Sequence, residues 1–317
     1  MSSLLPLEFG EPGSIDVHPQ RVGRDPSAHV KAIAARGFTE RQARFLAFVL
    51  RHSGVCVPRQ YAQFAGTAQG AKCNAFFARL VQRGHAASVD CLHNRGRLYR
   101  LHARALYDAI GEGSSGYRRS VSPRVALARL TRLDALLSAP ELAWCTASTE
   151  KAAELELPTT DTPSDACPIC LDTDGRLVVL YVVTEWRTDA FRVALRTCAP
   201  ALLGASRWTL RIAVPRDMER VYARYLEVVH EELERMFEGP AALRLAQGWE
   251  CGAMRVESLI LPHTYRHLSP LVDGSRPKTS MGGEGVEKGE ARGDDSRRRS
   301  QPLAWTPWPS RDRRMVL

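Results

Sequence analysis

Apolar positions recur with helical spacing in three consecutive segments near the beginning of the chain. The predicted helices are 39–51, 58–64 and 71–82. Thr39 and Gln42 stand three residues apart and form a capping box, which marks the beginning of the first helix. Pro58 suits the first turn of the second helix, and Gly84 is placed to end the third. The residues of the third helix that we expect to face the core are Ala75, Phe76, Leu80 and Val81.

The pattern changes after the third helix to two short strands around a turn. The predicted strands are 85–92 and 97–102, and a closing helix follows at 103–110. Asn94 and Gly96 lie in the turn, where they supply the positive φ angles that a tight hairpin needs. Three helices followed by a two-stranded wing predict a winged helix-turn-helix.

The second half of the chain predicts a mixed α/β domain. A run of β-branched and apolar residues at 177–184 is typical of a buried strand. The other predicted strands are 167–172, 208–214 and 254–261, and the predicted helices are 122–137, 189–203 and 216–237. The helix at 122–137 suits either a connecting or dimerising helix, or an ordinary packing helix of the second domain.

Both ends of the chain lack periodicity and are rich in Pro, Gly, Ser and charge, so we expect disordered tails. A short helix over 29–36 leads into the first domain. The predicted fold class is α+β, with an N-terminal winged helix-turn-helix, a mixed α/β domain and disordered tails. The predicted parts are a disordered arm (1–37), the winged helix-turn-helix domain (38–111), a linker and connecting helix (112–144), the α/β domain (145–272) and a disordered basic tail (273–317).

Positive charge is concentrated in the predicted winged helix. Residues 39–119 hold 13 Lys and Arg against 4 Asp and Glu, a net charge of +9 that equals the charge of the whole chain. A positive field focused on one small domain is the electrostatic footprint of a nucleic-acid binder. A solvated basic surface without a partner is the alternative. We therefore expect double-stranded DNA as the partner.

The third helix is expected to enter the major groove, which admits one α-helix. Gln69 and Asn74 are the expected base readers, since amide side chains pair bidentately with adenine. Lys72, Arg79 and Arg83 are expected to contact phosphates. Arg95 and Arg97, at the wing, could reach an adjacent minor groove or the backbone.

Other features of the sequence narrow the class of protein. The chain has no run of 18 apolar residues and begins without a signal peptide, so we expect no membrane span and a cytoplasmic location. Cys167 and Cys170 form the only Cys-x-x-Cys, and no second pair follows nearby, so we expect no metal. Phosphate-binding loops, nucleophile elbows and zinc-protease motifs are also missing, so we expect neither a cofactor nor a small-molecule substrate.

Four short segments carry a family resemblance: FTERQ at 38–42, NAFFARLVQRG at 74–84, LYRL at 98–101 and TASTEK at 146–151. They resemble the replication-relaxation-type proteins of bacterial plasmids and mobile elements, over about residues 38–235. The resemblance implies a winged helix followed by an α/β domain similar to nuclease folds. It also implies a DNA-binding protein that acts in replication, mobilisation or transcription control of a mobile element.

A nuclease of that kind is the first alternative, because Asp and Glu-x-Lys on neighbouring strands can hold a metal that activates water. Glu185 and Arg187 follow the strand 177–184, with Arg in place of Lys. A hairpin turn at 173–175 places Asp172 beside Leu177, too far from Glu185 to share a metal, so Asp165 is the only workable partner. We expect a degenerate domain instead.

Two further hypotheses concern protein partners. Winged helices also dock proteins, so an interaction adaptor is the second alternative function. Homodimerisation through 122–137 or through the second domain is a separate hypothesis, because many DNA binders pair two half-sites by two-fold symmetry.

Overall fold

The computed structural model describes residues 26–90, 97–146, 148–156 and 167–262 of the 317-residue chain. Within them the chain has a mixed α+β fold with one sheet of three strands and one of four. The helices are α1 (Pro26–Ala34), α2 (Glu40–His52), α3 (Pro58–Ala65), α4 (Ala71–Gln82), α5 (Arg104–Asp108), α6 (Pro123–Leu137), α7 (Ser148–Leu155), α8 (Asp189–Gly204), α9 (Tyr222–Met236) and α10 (Pro240–Glu250). The strands are β1 (Val55–Cys56), β2 (Ala86–Asp90), β3 (Arg97–Leu101), β4 (Ile169–Leu171), β5 (Leu177–Val182), β6 (Trp208–Pro215) and β7 (Met254–Leu261).

Helix α2 begins where the sequence predicts, at the capping box. The Gln42 backbone N–H donates to Thr39 Oγ1 over 3.3 Å, and the Thr39 N–H donates to Gln42 Oε1 over 3.2 Å. Gly84 follows α4 with a φ of +68°, as the helix end requires. The capping prediction and the third helix are thus confirmed.

The inward face of α4 differs from the prediction. Ala75 and Val81 are exposed, and the buried residues of α4 are Cys73, Phe76, Phe77 and Leu80. The ring of Phe77 packs against Tyr99 of β3, with centroids 4.5 Å apart. Burying a second phenyl ring removes more apolar area from water than burying Ala75 would, so the helix turns Phe77 inward.

The three-stranded sheet has the order β1-β3-β2, and its pairs are antiparallel. The predicted hairpin is present as β2 and β3, whereas its turn at 91–96 lies outside the described residues. One face of this sheet belongs to the core formed by α2 and α4. On the other face, Val55, Val57 and Leu98 pack with Ala126 and Leu130 of α6. The apolar core therefore continues across the boundary predicted at residue 111.

Helix α6 is an internal packing helix. Its Leu133 and Leu137 belong to the core of α2 and α4, and its Ala135 and Leu136 pack on the four-stranded sheet. The interpretation of 122–137 as a packing helix is therefore correct, although it packs on both parts of the chain. The apolar residues of this helix therefore pack within the chain itself.

The four-stranded sheet has the order β4-β5-β6-β7, with β4 antiparallel to β5 and the remaining pairs parallel. Helices α8 and α9 contribute to the core on one face, and α6 with Trp144 packs on the other.

The strand prediction is confirmed, whereas the predicted hairpin register is wrong by one residue. Leu171, and not Asp172, lies opposite Leu177. The Asp172 carboxylate instead accepts the backbone N–H groups of Asp174 and Arg176, each over 2.9 Å, which lengthens the turn.

Several boundaries also differ from the sequence prediction. The short helix predicted at 29–36 is present as α1, which begins earlier, at Pro26, and buries Ile33 against the core of α2, while residues 1–25 of the predicted arm lie outside the described residues. The helix predicted at 216–237 is a short 3₁₀ helix, Arg216–Val221, followed by α9. Helices α7 and α10 were not predicted. The tail 273–317 lies outside the described residues. Among the helices of the described residues, none is both long and apolar enough to cross a membrane.

Candidate nucleic-acid interface

The exposed face of α4 carries small and amide side chains. Ala71, Asn74, Ala75, Ala78 and Gln82 are all exposed, and their spacing of three, four, seven and eleven residues places them on one face. Because alanine side chains are short, this face allows a close approach to a partner surface. Gln82 was not among the predicted contacts, although its position eight residues after Asn74 is a signal for the same face.

Two of the predicted contacts stand beside this face. Lys72 is exposed in the first turn of α4, and Gln69 is exposed in the segment that precedes the helix. Together with Asn74, Ala75, Ala78 and Gln82 they define what we call the α4 surface. The structure therefore brings three of the predicted contact residues, Gln69, Lys72 and Asn74, to one end of one helix.

Arg79, a predicted phosphate contact, already takes part in a hydrogen bond within the fold. This side chain is half-buried, and its guanidinium donates to Gln42 Oε1 over 3.1 Å. Gln42 also caps α2, so Arg79 ties α4 to the first turn of α2. A guanidinium that is committed inside the fold is poorly placed for a phosphate, and we remove Arg79 from the candidate contacts.

The remaining predicted arginines lie at the other end of α4 and in the hairpin. Arg83 is exposed and donates to the carbonyl oxygen of Arg36 over 3.2 Å, which leaves other guanidinium nitrogens on the surface. Arg97 is exposed at the beginning of β3. Arg95 lies in the turn outside the described residues.

Part of the positive charge counted in the sequence serves the fold. Arg59 pairs with buried Asp134, Arg100 donates to the carbonyl oxygen of Arg118 over 2.9 Å, and Arg118 donates to that of Gly113 over 2.7 Å. Of these three arginines, only Arg59 is neutralised by a carboxylate, whereas Arg100 and Arg118 keep their charge and are held in place by backbone carbonyl groups.

The local field at the end of α4 and along the hairpin is nevertheless positive. Burial, followed by the charges of Arg83 and Arg36, lowers the pKa of His85. Burial, followed by the charges of Arg100 and Arg118, lowers the pKa of His102. Burial is the larger cause of both shifts, but the neighbouring arginine charges also disfavour an imidazolium, and the same charges would attract an anion.

Two residues of the nuclease alternative, Glu185 and Arg187, take part in ion pairs. The Glu185 carboxylate pairs with Arg124 of α6, and Arg187 pairs with Asp189. Asp165 lies outside the described residues. Across the described ranges, no group of three or more His, Cys, Asp and Glu side chains is arranged to hold a metal ion.

The candidate interface thus consists of an exposed amide-bearing helix face with cations at its two ends. Its definition rests on this geometry alone. A comparison with protein families, curated proteins and solved structures finds no match for the chain.

Proposed function

We propose that the chain is a DNA-binding protein in which residues 40–101 form a winged helix-turn-helix. The order of elements supports this proposal, because α2, β1, α3 and α4 are followed by a hairpin whose second strand pairs with β1. The observation that carries it is the α4 surface, an exposed helix face with short side chains and the amides Asn74 and Gln82, next to which Gln69 is exposed just before the helix. A single α-helix of this kind fits the major groove of B-DNA.

We assign roles to the members of the α4 surface that lie on the helix itself, to Arg83 and to Arg97. Asn74 and Gln82 read base edges, since an amide can pair bidentately with adenine, and the methyl groups of Ala75 and Ala78 suit contact with thymine methyl groups. Lys72 and Arg83 bind phosphates at the two ends of α4 and fix its register. Arg97 extends the contact toward the neighbouring backbone.

The biological role that we propose for this binding is replication, mobilisation or transcription control of a mobile element. The four short segments that resemble replication-relaxation-type proteins support it, and two of them, 74–84 and 98–101, lie in α4 and β3.

The direct test is the salt dependence of binding to a labelled duplex, measured by fluorescence anisotropy on the full chain. Counterion release predicts that the logarithm of the association constant falls with the logarithm of the salt concentration, with a slope of about −3 to −5 for three to five phosphate contacts. Lys72→Ala should weaken binding to all duplexes alike and reduce the slope by about one.

Arg224→Ala provides the matched control, because Arg224 is an exposed cation of α9 outside the α4 surface. It should leave both affinity and slope unchanged. A duplex affinity that does not respond to salt, or that falls equally in both variants, would contradict the proposal and favour a protein partner.

A further inference from the structure

A groove of about 1900 Å³ lies between α1, α2 and the segment that joins α3 to α4; we call it the α2 groove. Pockets for small molecules usually measure about 300–1,000 Å³. The α2 groove is therefore large enough to hold a segment of a polymer. It adjoins the α4 surface, because Lys72 belongs to that surface and also lines the groove.

One stripe of α2 alternates cations with an aromatic ring along this groove. Arg41, Arg44, Phe48 and Arg51 all line it, and their spacing of three, seven and ten residues places them on one helix face about 15 Å long. Arg44 pairs with Glu40, which also lines the groove. Lys31 and Lys72 add two cations to its walls, so positive charge dominates among the described lining residues.

Three half-buried aromatic side chains, Phe48, Tyr61 and Phe64, line the same groove. Their rings are held by the core, since the Phe64 ring lies 5.6 Å from that of Phe45 and 6.4 Å from that of Phe48, centroid to centroid. The Tyr61 ring lies 4.6 Å from that of Phe76. Rings fixed in this way form a preorganised platform for a flat partner.

We propose that the α2 groove binds a short stretch of single-stranded nucleic acid. The phosphates lie along Arg41, Arg44 and Lys72, and unpaired bases stack on Phe48 and Phe64. A cationic groove with interleaved aromatic rings is the arrangement by which proteins hold a single strand without reading its sequence.

A paired duplex does not fit this groove, because its bases are stacked inside the helix and cannot reach recessed rings. An acidic peptide would satisfy the cations, but it lacks the flat rings that match the aromatic platform. Lys72 belongs to both surfaces, so the groove would receive an unpaired strand next to a bound duplex. Only this placement beside a duplex rests on the proposed function.

The test compares a labelled oligo(dT) of about 12 nucleotides with a labelled duplex, on the full chain and by fluorescence anisotropy. Arg41→Glu reverses an exposed charge in the groove, and Phe64→Leu keeps apolar packing but removes the stacking face. Both should weaken oligo(dT) binding by about ten-fold, since stacking and phosphate contacts each contribute at this level. Both should leave duplex binding within about two-fold.

Two controls and a competitor complete the test. Arg224→Glu reverses a charge outside the groove and should not change oligo(dT) binding, and Asn74→Ala should affect the duplex alone. Unchanged oligo(dT) binding in both groove variants would overturn the proposal. The competitor is polyglutamate, and the proposal would also be overturned if polyglutamate displaced the labelled oligo(dT) as effectively as unlabelled oligo(dT) does. Weaker duplex binding by Asn74→Ala with oligo(dT) binding retained supports the groove. Absence of duplex binding by the unmodified chain would refute the winged-helix function separately.

Discussion

Asp134 of α6 accepts a hydrogen bond from Gln60 of α3 over 2.9 Å, and both side chains are buried. Arg59 donates to the second carboxylate oxygen over 2.8 Å, and Gln60 also donates to the Leu130 carbonyl oxygen over 3.0 Å. These contacts join α3 to the helix that supports both sheets.

Removing the carboxylate should be costly, because buried Gln60 and half-buried Arg59 would both lose their acceptor. We expect Asp134→Ala to lower the free energy of unfolding by about 3 kcal/mol and Asp134→Asn by about 1 kcal/mol. Urea unfolding followed by circular dichroism measures both. Glu219→Ala, at an exposed acid, is the control; an equal loss in Glu219→Ala and Asp134→Ala would refute the structural role.

Base preference should depend on the amides of α4. We expect Asn74→Ala and Gln82→Ala to flatten the preference among duplexes selected from a random library, by about 1–3 kcal/mol at the position that each reads. Ala71→Gly, on the same helix face, should keep the preference. A selected consensus that is identical in all variants would mean that α4 does not read bases.

Arg79 should matter for stability more than for binding. Arg79→Ala removes its hydrogen bond to Gln42, so we expect a loss of about 1–2 kcal/mol in the free energy of unfolding. At a temperature where the variant is fully folded, its duplex affinity should fall less than that of Lys72→Ala. The reverse order would restore Arg79 as a phosphate contact.

Stability should depend on pH through His52. Burial, with smaller contributions from Arg51 and Arg132, lowers the pKa of His52 to about 3. The unfolded chain takes up this proton near pH 6.5. The folded state therefore keeps its full stability above pH 6.5 and loses up to about 1.4 kcal/mol per pH unit below it, until the folded pKa is reached.

His52→Gln isolates that effect from the carboxylates. Between pH 6 and pH 5, the urea unfolding free energy of the unmodified chain should fall by about 1 kcal/mol more than that of the variant. Parallel pH profiles for the two proteins would show that His52 does not titrate as a buried neutral group.

Local signals in the sequence were enough to predict many elements. Thr39 with Gln42 fixes the beginning of α2, and Gly84 fixes the end of α4, because each acts through its own backbone or a neighbour three residues away. The apolar run that forms β5 is equally local. Asn74 and Lys72 could be predicted as exposed from their polarity alone.

Contacts between distant residues could not be predicted in the same way. Phe77 turns inward because Tyr99, 22 residues later in the chain, lies above it. Arg79 finds Gln42 across 37 residues, so its charge looked available in the sequence. In the β4–β5 turn, the Asp172 side chain accepts a hydrogen bond from the backbone N–H of Asp174. The turn that forms around it differs from the predicted one, and a change of one residue in the turn shifts every β4–β5 residue pair by one.

The position of α6 under the first sheet has a consequence for how the chain can be divided. A fragment that stops at residue 111 would leave Val55, Val57 and Leu98 without their cover and Gln60 without its acceptors. Newly bared apolar area of that kind favours aggregation. A shortened chain for biophysical work should therefore extend at least through Leu137. In such a fragment, the apolar residues of α6 that pack on the four-stranded sheet would also be exposed and would need polar replacements.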